Sequence, residues 1–244
     1  MSKNMWFALP AALIIAVGTM QATPVACTPN VAGTLTTVVA TAPGASLMTL
    51  TCSSGSTNII FSNFQAVDAS GGTTTGLPIN YIAGLGNTYI DTATGIVNLS
   101  LNPNFPNAGF KDIHYTFDVV SNVPIVSVDM GVGGAGTGTV TIDETVCSAG
   151  TANMNLATGN CTNGSTMLAS LSQGANSTTP GGQLYFTPPG ATSTTLGVFK
   201  DIGATNGEGL TAFTQSFHFI PEPATFALMG AGLILFALSR RKRA

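Results

Sequence analysis

Strict alternation of apolar and polar side chains is the feature that most restricts the fold. Asp112-Ile-His-Tyr-Thr-Phe-Asp-Val-Val120 sets Ile113, Tyr115, Phe117 and Val119 on one side of an extended chain and His114, Thr116 and Asp118 on the other. Successive side chains of a strand point to opposite faces, so this is the pattern of a half-buried strand. Thr139-Val-Thr-Ile-Asp-Glu-Thr-Val146 directs Val140, Ile142 and Val146 inward. Phe213-Thr-Gln-Ser-Phe-His-Phe219 sets Phe213, Gln215, Phe217 and Phe219 against Thr214, Ser216 and His218. Helical spacing is not sustained between the termini, and Asn-Gly, Gly-Gly and Pro-Gly pairs punctuate the apolar runs. The expected fold is all-β, an antiparallel β-sandwich of jelly-roll or Ig-like type over residues 27–219, with 148–182 its loop-richest part. A length of 244 residues suits one such domain.

Charge is scarce and unevenly placed. Lys3 precedes the first apolar run and Arg240, Arg241, Lys242 and Arg243 follow the last, leaving only Lys111 and Lys200 between, against nine acids from Asp68 to Glu208. Nucleic-acid binding needs clustered cations to neutralise phosphates, and this middle part has none. That function is excluded.

The ends read as targeting segments. Lys3 and the apolar run Trp6–Val17 form a charged n-region and an h-region too short to span a bilayer, the pattern of a signal peptide over 1–26 cleaved after Ala22 or Ala26. Pro24-Val-Ala-Cys27 also faintly resembles a lipoprotein box, in which Cys27 would be acylated. At the other end come Pro221-Glu222-Pro223, an uncharged apolar run from Ala224, and Arg240-Arg-Lys-Arg243. The prolines hold an extended segment. The apolar run is expected to form a single transmembrane helix over 224–239, and the basic tail 240–244 to stay cytoplasmic. Residues 220–244 in this order resemble the PEP-CTERM sorting signal. The resemblance implies export, recognition of Pro221, Glu222 and Pro223 by an exosortase (a membrane transpeptidase), a transient membrane anchor, and an association with exopolysaccharide-producing bacteria. Placement at the cell surface or in the extracellular matrix follows from it.

Cys27, Cys52, Cys147 and Cys161 are even in number and lie in the exported part, where disulfides persist. Sequence order pairs Cys27 with Cys52 and Cys147 with Cys161. No Cys-x-x-Cys occurs, and neither His114 nor His218 is spaced with a thiol, so no metal site and no cofactor are expected. Asp143-Glu144 is a weak candidate for a surface calcium site. Gly131-Val-Gly-Gly-Ala-Gly136 fits G-x-G-x-x-G literally, but a strand-like run follows where a dinucleotide site needs a helix N-terminus. A glycine-rich hairpin turn is the better reading. Phe110-Lys-Asp-Ile113 recurs as Phe199-Lys-Asp-Ile202, expected as two strand starts with a solvated or paired Lys-Asp step.

No nucleophile elbow or zinc-protease motif is present, and His114 and His218 fall on polar faces, so no catalytic residue is assigned and the chain is expected not to be an enzyme. Trp6 leaves with the signal peptide, and Tyr81, Tyr89, Tyr115 and Tyr185 remain as rings on which a sugar could stack. The expected role is structural or adhesive, with polysaccharide binding as one alternative and a secreted hydrolase as another.

Overall fold

The computed structural model describes residues 23–29, 49–69, 80–102, 112–135, 140–174, 182–204 and 209–221. Thirteen strands form among them: β1 Val25–Ala26, β2 Thr28–Pro29, β3 Leu50–Ser54, β4 Thr57–Asp68, β5 Asn80–Tyr81, β6 Tyr89–Asp91, β7 Ile96–Asn102, β8 Asp112–Ala135, β9 Val140–Cys147, β10 Met167–Gly174, β11 Leu184–Tyr185, β12 Ser193–Ala204 and β13 Gly209–Phe219. Every strand pairing is antiparallel.

The class is as expected, but the hydrogen bonding does not divide into two separate sheets. One ladder runs β1-β6-β7-β13-β8-β12-β9-β10, with β4 and β11 also on β8, β3 and β2 beyond β4, and β5 on β7. The connecting element is β8, 24 residues long. Its first half pairs with β4 and β12, Ile125 pairs with both Ser193 of β12 and Phe219 of β13, and beyond it the partners are β13 and β11. The exchange falls at Ser121–Pro124. Proline has no N–H to give to a ladder, so Pro124 suits a place where one partner leaves and another arrives. Ser121 fastens the spot, its hydroxyl donating to Val123 O at 2.7 Å and accepting from Val123 N at 3.1 Å.

Alternation places the core where the sequence suggests. Ile113, Tyr115, Phe117 and Val119 are buried, as are Phe213, Phe217 and Phe219. Rings from β4 and β8 meet those of β13: Phe61 lies 5.7 Å from Phe217, and Tyr115 and Phe117 meet Phe213 and Phe217 edge-on at 5.7 and 6.3 Å. Such aromatic pairs contribute about 0.5–1.5 kcal/mol each beyond the area they bury.

One expectation on turns is corrected. Gly131–Ala135 is strand, because β13 runs alongside it, and its pairing sets Thr214 opposite Gly131, where a Cβ would fall 2.5 Å from the Thr214 hydroxyl. The glycine there admits a neighbour's side chain and makes no turn. Nor are β8 and β9 hairpin partners, since β12 lies between them. Within 148–182, β10 completes the sheet edge beside β9.

Close backbone approach also fixes Gly197. A Cβ there would lie 2.5 Å from the carbonyl carbon of Gly150 and 2.7 Å from Thr151 N, the start of the 3-10 turn Thr151–Asn153. Gly197→Ala should therefore destabilise the domain by about 1–3 kcal/mol, the usual cost of overpacking. A urea midpoint equal to the parent's would contradict that packing.

Candidate functional site

The final strand runs directly into the sorting segment. Phe219 N donates to Gly95 O at 2.8 Å, Ile220 N donates to Pro124 O at 3.3 Å, and Ile220 and Pro221 are exposed. Gly95 has φ +71°, and a Cβ on it would strike the Phe219 carbonyl oxygen and lie 2.8 Å from Pro221 Cγ. Glycine is required there twice over, for its backbone conformation and for the room it leaves. The first proline is thus seated against the β6–β7 turn. Glu222, Pro223, the apolar run and Arg240, Arg241, Lys242 and Arg243 lie outside the described residues, as do residues 1–22 of the expected signal peptide. Among the described residues no helix is long and apolar enough to cross a membrane.

The expected disulfides are both formed, Cys27–Cys52 with Cα atoms 4.3 Å apart and Cys147–Cys161 at 5.7 Å. Cys27 Sγ is therefore engaged with Cys52, which removes the acylated-cysteine reading.

The largest departure from the sequence reading lies inside. Glu144 is not at the surface beside Asp143 but fully buried, which removes the calcium candidate. Lys200, expected at a strand start in a solvated or paired Lys-Asp step, lies well inside β12 and is fully buried, and so is Gln215. Lys111 lies outside the described residues. Glu144 on β9 stands directly opposite Lys200 on β12. Lys200 Nζ donates to Glu144 Oε2 and, at 2.6 Å, to Gln215 Oε1, while Gln215 Nε2 donates to Glu144 Oε1 at 3.0 Å. Met130 Sδ at 3.1 Å and the Phe213 ring, 5.2 Å from Nζ, line the remaining sides. Burial pushes the Glu144 carboxyl up and the Lys200 ammonium down, each opposed by the other's charge. Both shifts favour moving the proton from nitrogen to oxygen.

Parity could have revealed this cluster. Glu144 shares the face of Val140, Ile142 and Val146, and Lys200 the face of Leu196, Val198 and Ile202, all buried. The period-2 rule that places a valine inward places a glutamate in the same phase inward as well.

On the outer face, Asp201 is in register with His114 of β8 and Asp143 of β9. His114 Nδ1 lies 3.2 Å from Leu156 O, and its Nε2 lies 3.7 Å from Asp112 Oδ1. One ligand-type atom from each of Asp112, His114 and Asp201 falls within 4.8 Å of the others. That is three donors, against the six to eight oxygens a calcium ion takes. Burial, and then the neighbouring Asp112, push the Asp201 carboxyl up. A raised folded-state pKa means the fold disfavours the ionised form: the cost is present at neutral pH and vanishes once both states are protonated. Asp201→Asn should hence stabilise the domain at pH 7 by less than about 1 kcal/mol after solvent screening, and the gain should disappear below about pH 4. Thermal unfolding at both pH values checks this.

His218 Nε2 lies 2.6 Å from Asp129 Oδ2 across the β13–β8 ladder. Tyr115 is buried with its hydroxyl unpartnered, and burial holds that hydroxyl well above its ordinary pKa. Tyr115 is thereby removed from the rings available to a sugar. Tyr89 is half-buried, the Tyr81 side chain lies outside the described residues, and Tyr185 is 63% exposed.

No curated protein and no solved structure matches the chain. Residues 219–243 match the family described as the PEP-CTERM protein-sorting motif. That span begins on the last residue of β13 and takes in the seated Pro221. The chain thus carries a PEP-CTERM protein-sorting motif at residues 219–243, which indicates an exported protein targeted to exosortase.

Proposed function

We propose that this is a non-enzymatic structural or adhesive protein of the cell surface or extracellular matrix, held in the membrane by its C-terminal segment until exosortase processes it. The observation that carries the reading is the sorting motif itself, which begins on the last residue of β13 in a disulfide-bonded β domain, with Phe219 and Pro221 packed against Gly95. Of the two signal-peptide bonds, cleavage after Ala22 keeps β1, whose Val25 and Ala26 pair with Ile90 and Tyr89. Cleavage after Ala26 would discard that pairing, so the bond after Ala22 is favoured.

Replacing Pro221, Glu222 and Pro223 together with alanine should leave full-length protein in the membrane fraction while the parent is processed. Immunoblotting of fractions from cells with and without exosortase reads the outcome. Release of the triple variant at the parental rate would mean that the segment is only a tail anchor.

Exposed Tyr185 favours a second reading, a polysaccharide-binding domain. Tyr185→Ala should then lose any signal the parent gives on a glycan array, since stacking on an exposed ring supplies much of the contact with a sugar face. A parent that binds no glycan removes this reading and leaves the first.

A further inference from the structure

An amine, a carboxamide and a carboxylate meet in the core with no solvent between them: Lys200 and Gln215 are 0% exposed and Glu144 is 1% exposed. We propose that Lys200 and Gln215 become joined by an intramolecular amide bond, formed once per chain after folding, with Glu144 as the proton-transfer group.

The geometry carries the argument. Lys200 Nζ is 2.6 Å from Gln215 Oε1, so the amide carbon lies one bond beyond the atom the amine already touches. Glu144 contacts both nitrogens whose bonding would change, accepting from Lys200 Nζ through Oε2 and from Gln215 Nε2 through Oε1. One carboxyl group is thus placed to take a proton from the attacking nitrogen and deliver it to the departing one. Three separate strands hold the set: Glu144 and Lys200 are cross-strand partners on β9 and β12, and Gln215 comes from β13. Met130 and Phe213 close the sides and keep water, the competing nucleophile, away.

The chemistry follows from burial. Two separated charges in an apolar interior are costly, and transfer of a proton from Lys200 to Glu144 removes both. The resulting neutral amine has a free electron pair, as a desolvated lysine needs in order to act as a nucleophile. Nζ attacks the Gln215 amide carbon, forming the Nζ–Cδ bond and moving the carbonyl pair onto Oε1. The protonated Glu144 then gives its proton to Nε2. As the carbonyl re-forms, the Cδ–Nε2 bond breaks and ammonia leaves with that one proton, while the freed carboxylate of Glu144 takes the proton that Nζ must lose and ends protonated, as it was when the amine attacked. The sum is amine plus primary amide giving secondary amide plus ammonia, with no oxidant and no co-reactant. Intramolecular placement of this kind can replace effective concentrations on the order of 10⁵ M or more. Loss of ammonia to bulk water draws the reaction forward.

Mass spectrometry of the exported full chain, denatured, reduced and alkylated, tests the proposal. The expected result is a mass lower than that of the mature sequence by one ammonia, together with a branched peptide joining the Lys200 and Gln215 segments and no tryptic cut after Lys200. Glu144→Gln keeps a hydrogen-bond acceptor for Lys200 but has no carboxylate to take the proton, and it should show the full mass and a normal cut at Lys200. Circular dichroism confirms that this variant is folded. Full mass and a normal tryptic cut in the parent would overturn the proposal, leaving the cluster a structural ion pair. A branched peptide joining Lys200 to Glu144 with loss of water would overturn the assignment of Gln215. Loss of ammonia in the Glu144 variant at the parental level would overturn the role given to Glu144.

Discussion

Relative to the parent before Lys200 and Gln215 are joined, replacing Glu144 with alanine should lower the unfolding free energy by about 3–5 kcal/mol, the cost expected when one partner of a buried ion pair is removed and the other stays. The ammonium of Lys200 would keep Gln215 Oε1 and Met130 Sδ as neighbours but would have no negative charge within reach. The direction with pH follows from the lysine. Burial depresses its folded-state pKa, and without Glu144 nothing of opposite sign opposes that shift. A depressed pKa contributes a penalty as pH falls below the unfolded value, so the deficit should be largest at neutral and acid pH and smallest in alkali. Combining Glu144→Leu with Lys200→Met should recover part of the loss, since an apolar pair of similar volume avoids the desolvation cost altogether. Urea unfolding of the single and double variants across pH provides the measurement. A single variant within 1 kcal/mol of the parent, on the order of an exposed ion pair, would show that the carboxylate is not buried against the amine.

Loss of the disulfides should have an effect of the same size. The two bridges close stretches with sequence separations of 25 and 14 residues. In the chain-entropy account these are worth about 3.5 and 3 kcal/mol at 25 °C. Together they are comparable with the whole stability of many domains, which is about 5–15 kcal/mol. Cys27→Ser with Cys52→Ser should therefore lower the urea midpoint strongly, and reducing both bridges should leave little folded protein at 37 °C. Near-ultraviolet circular dichroism with and without reductant follows this, and an unchanged spectrum would show that the bridges restrain chain already held by the sheet. The first bridge carries an additional local role, because Cys27 stands between β1 and β2, strands of two residues each.

What was legible in the sequence was the face of each strand, and what was not was its partner. Phe213, Gln215, Phe217 and Phe219 were placed inward by alternation alone and are buried together. The same rule applied to Glu144 and Lys200, but chemical type suggested the surface. A charged side chain goes inward only when a partner waits there, and Gln215 and the opposing charge come from strands 15 to 71 residues away. Pairing at such separations leaves no local signature. The glycines of 131–134 were misread for a related reason: a glycine admitting Thr214 from a neighbouring strand looks, in one dimension, like a glycine making a turn. The disulfides were legible because each closes a local stretch, and the sorting motif because its three parts are consecutive.

The position of β13 sets the timing of folding for a chain that crosses a membrane N-terminus first. Among the described residues, strand pairing links β1, β5, β6 and β7 to the other strands only through β13. Until residues 209–219 have emerged, the early strands are tied to the rest by the Cys27–Cys52 bridge and by side-chain contacts, with an open edge on β7. Pairing across such long stretches is intrinsically slow, and an unpaired edge is open to wrong partners while it waits. The residues that close that edge are the ones immediately before the processing motif. Completion of the sheet and emergence of Glu222 thus fall at the same point in the chain's passage.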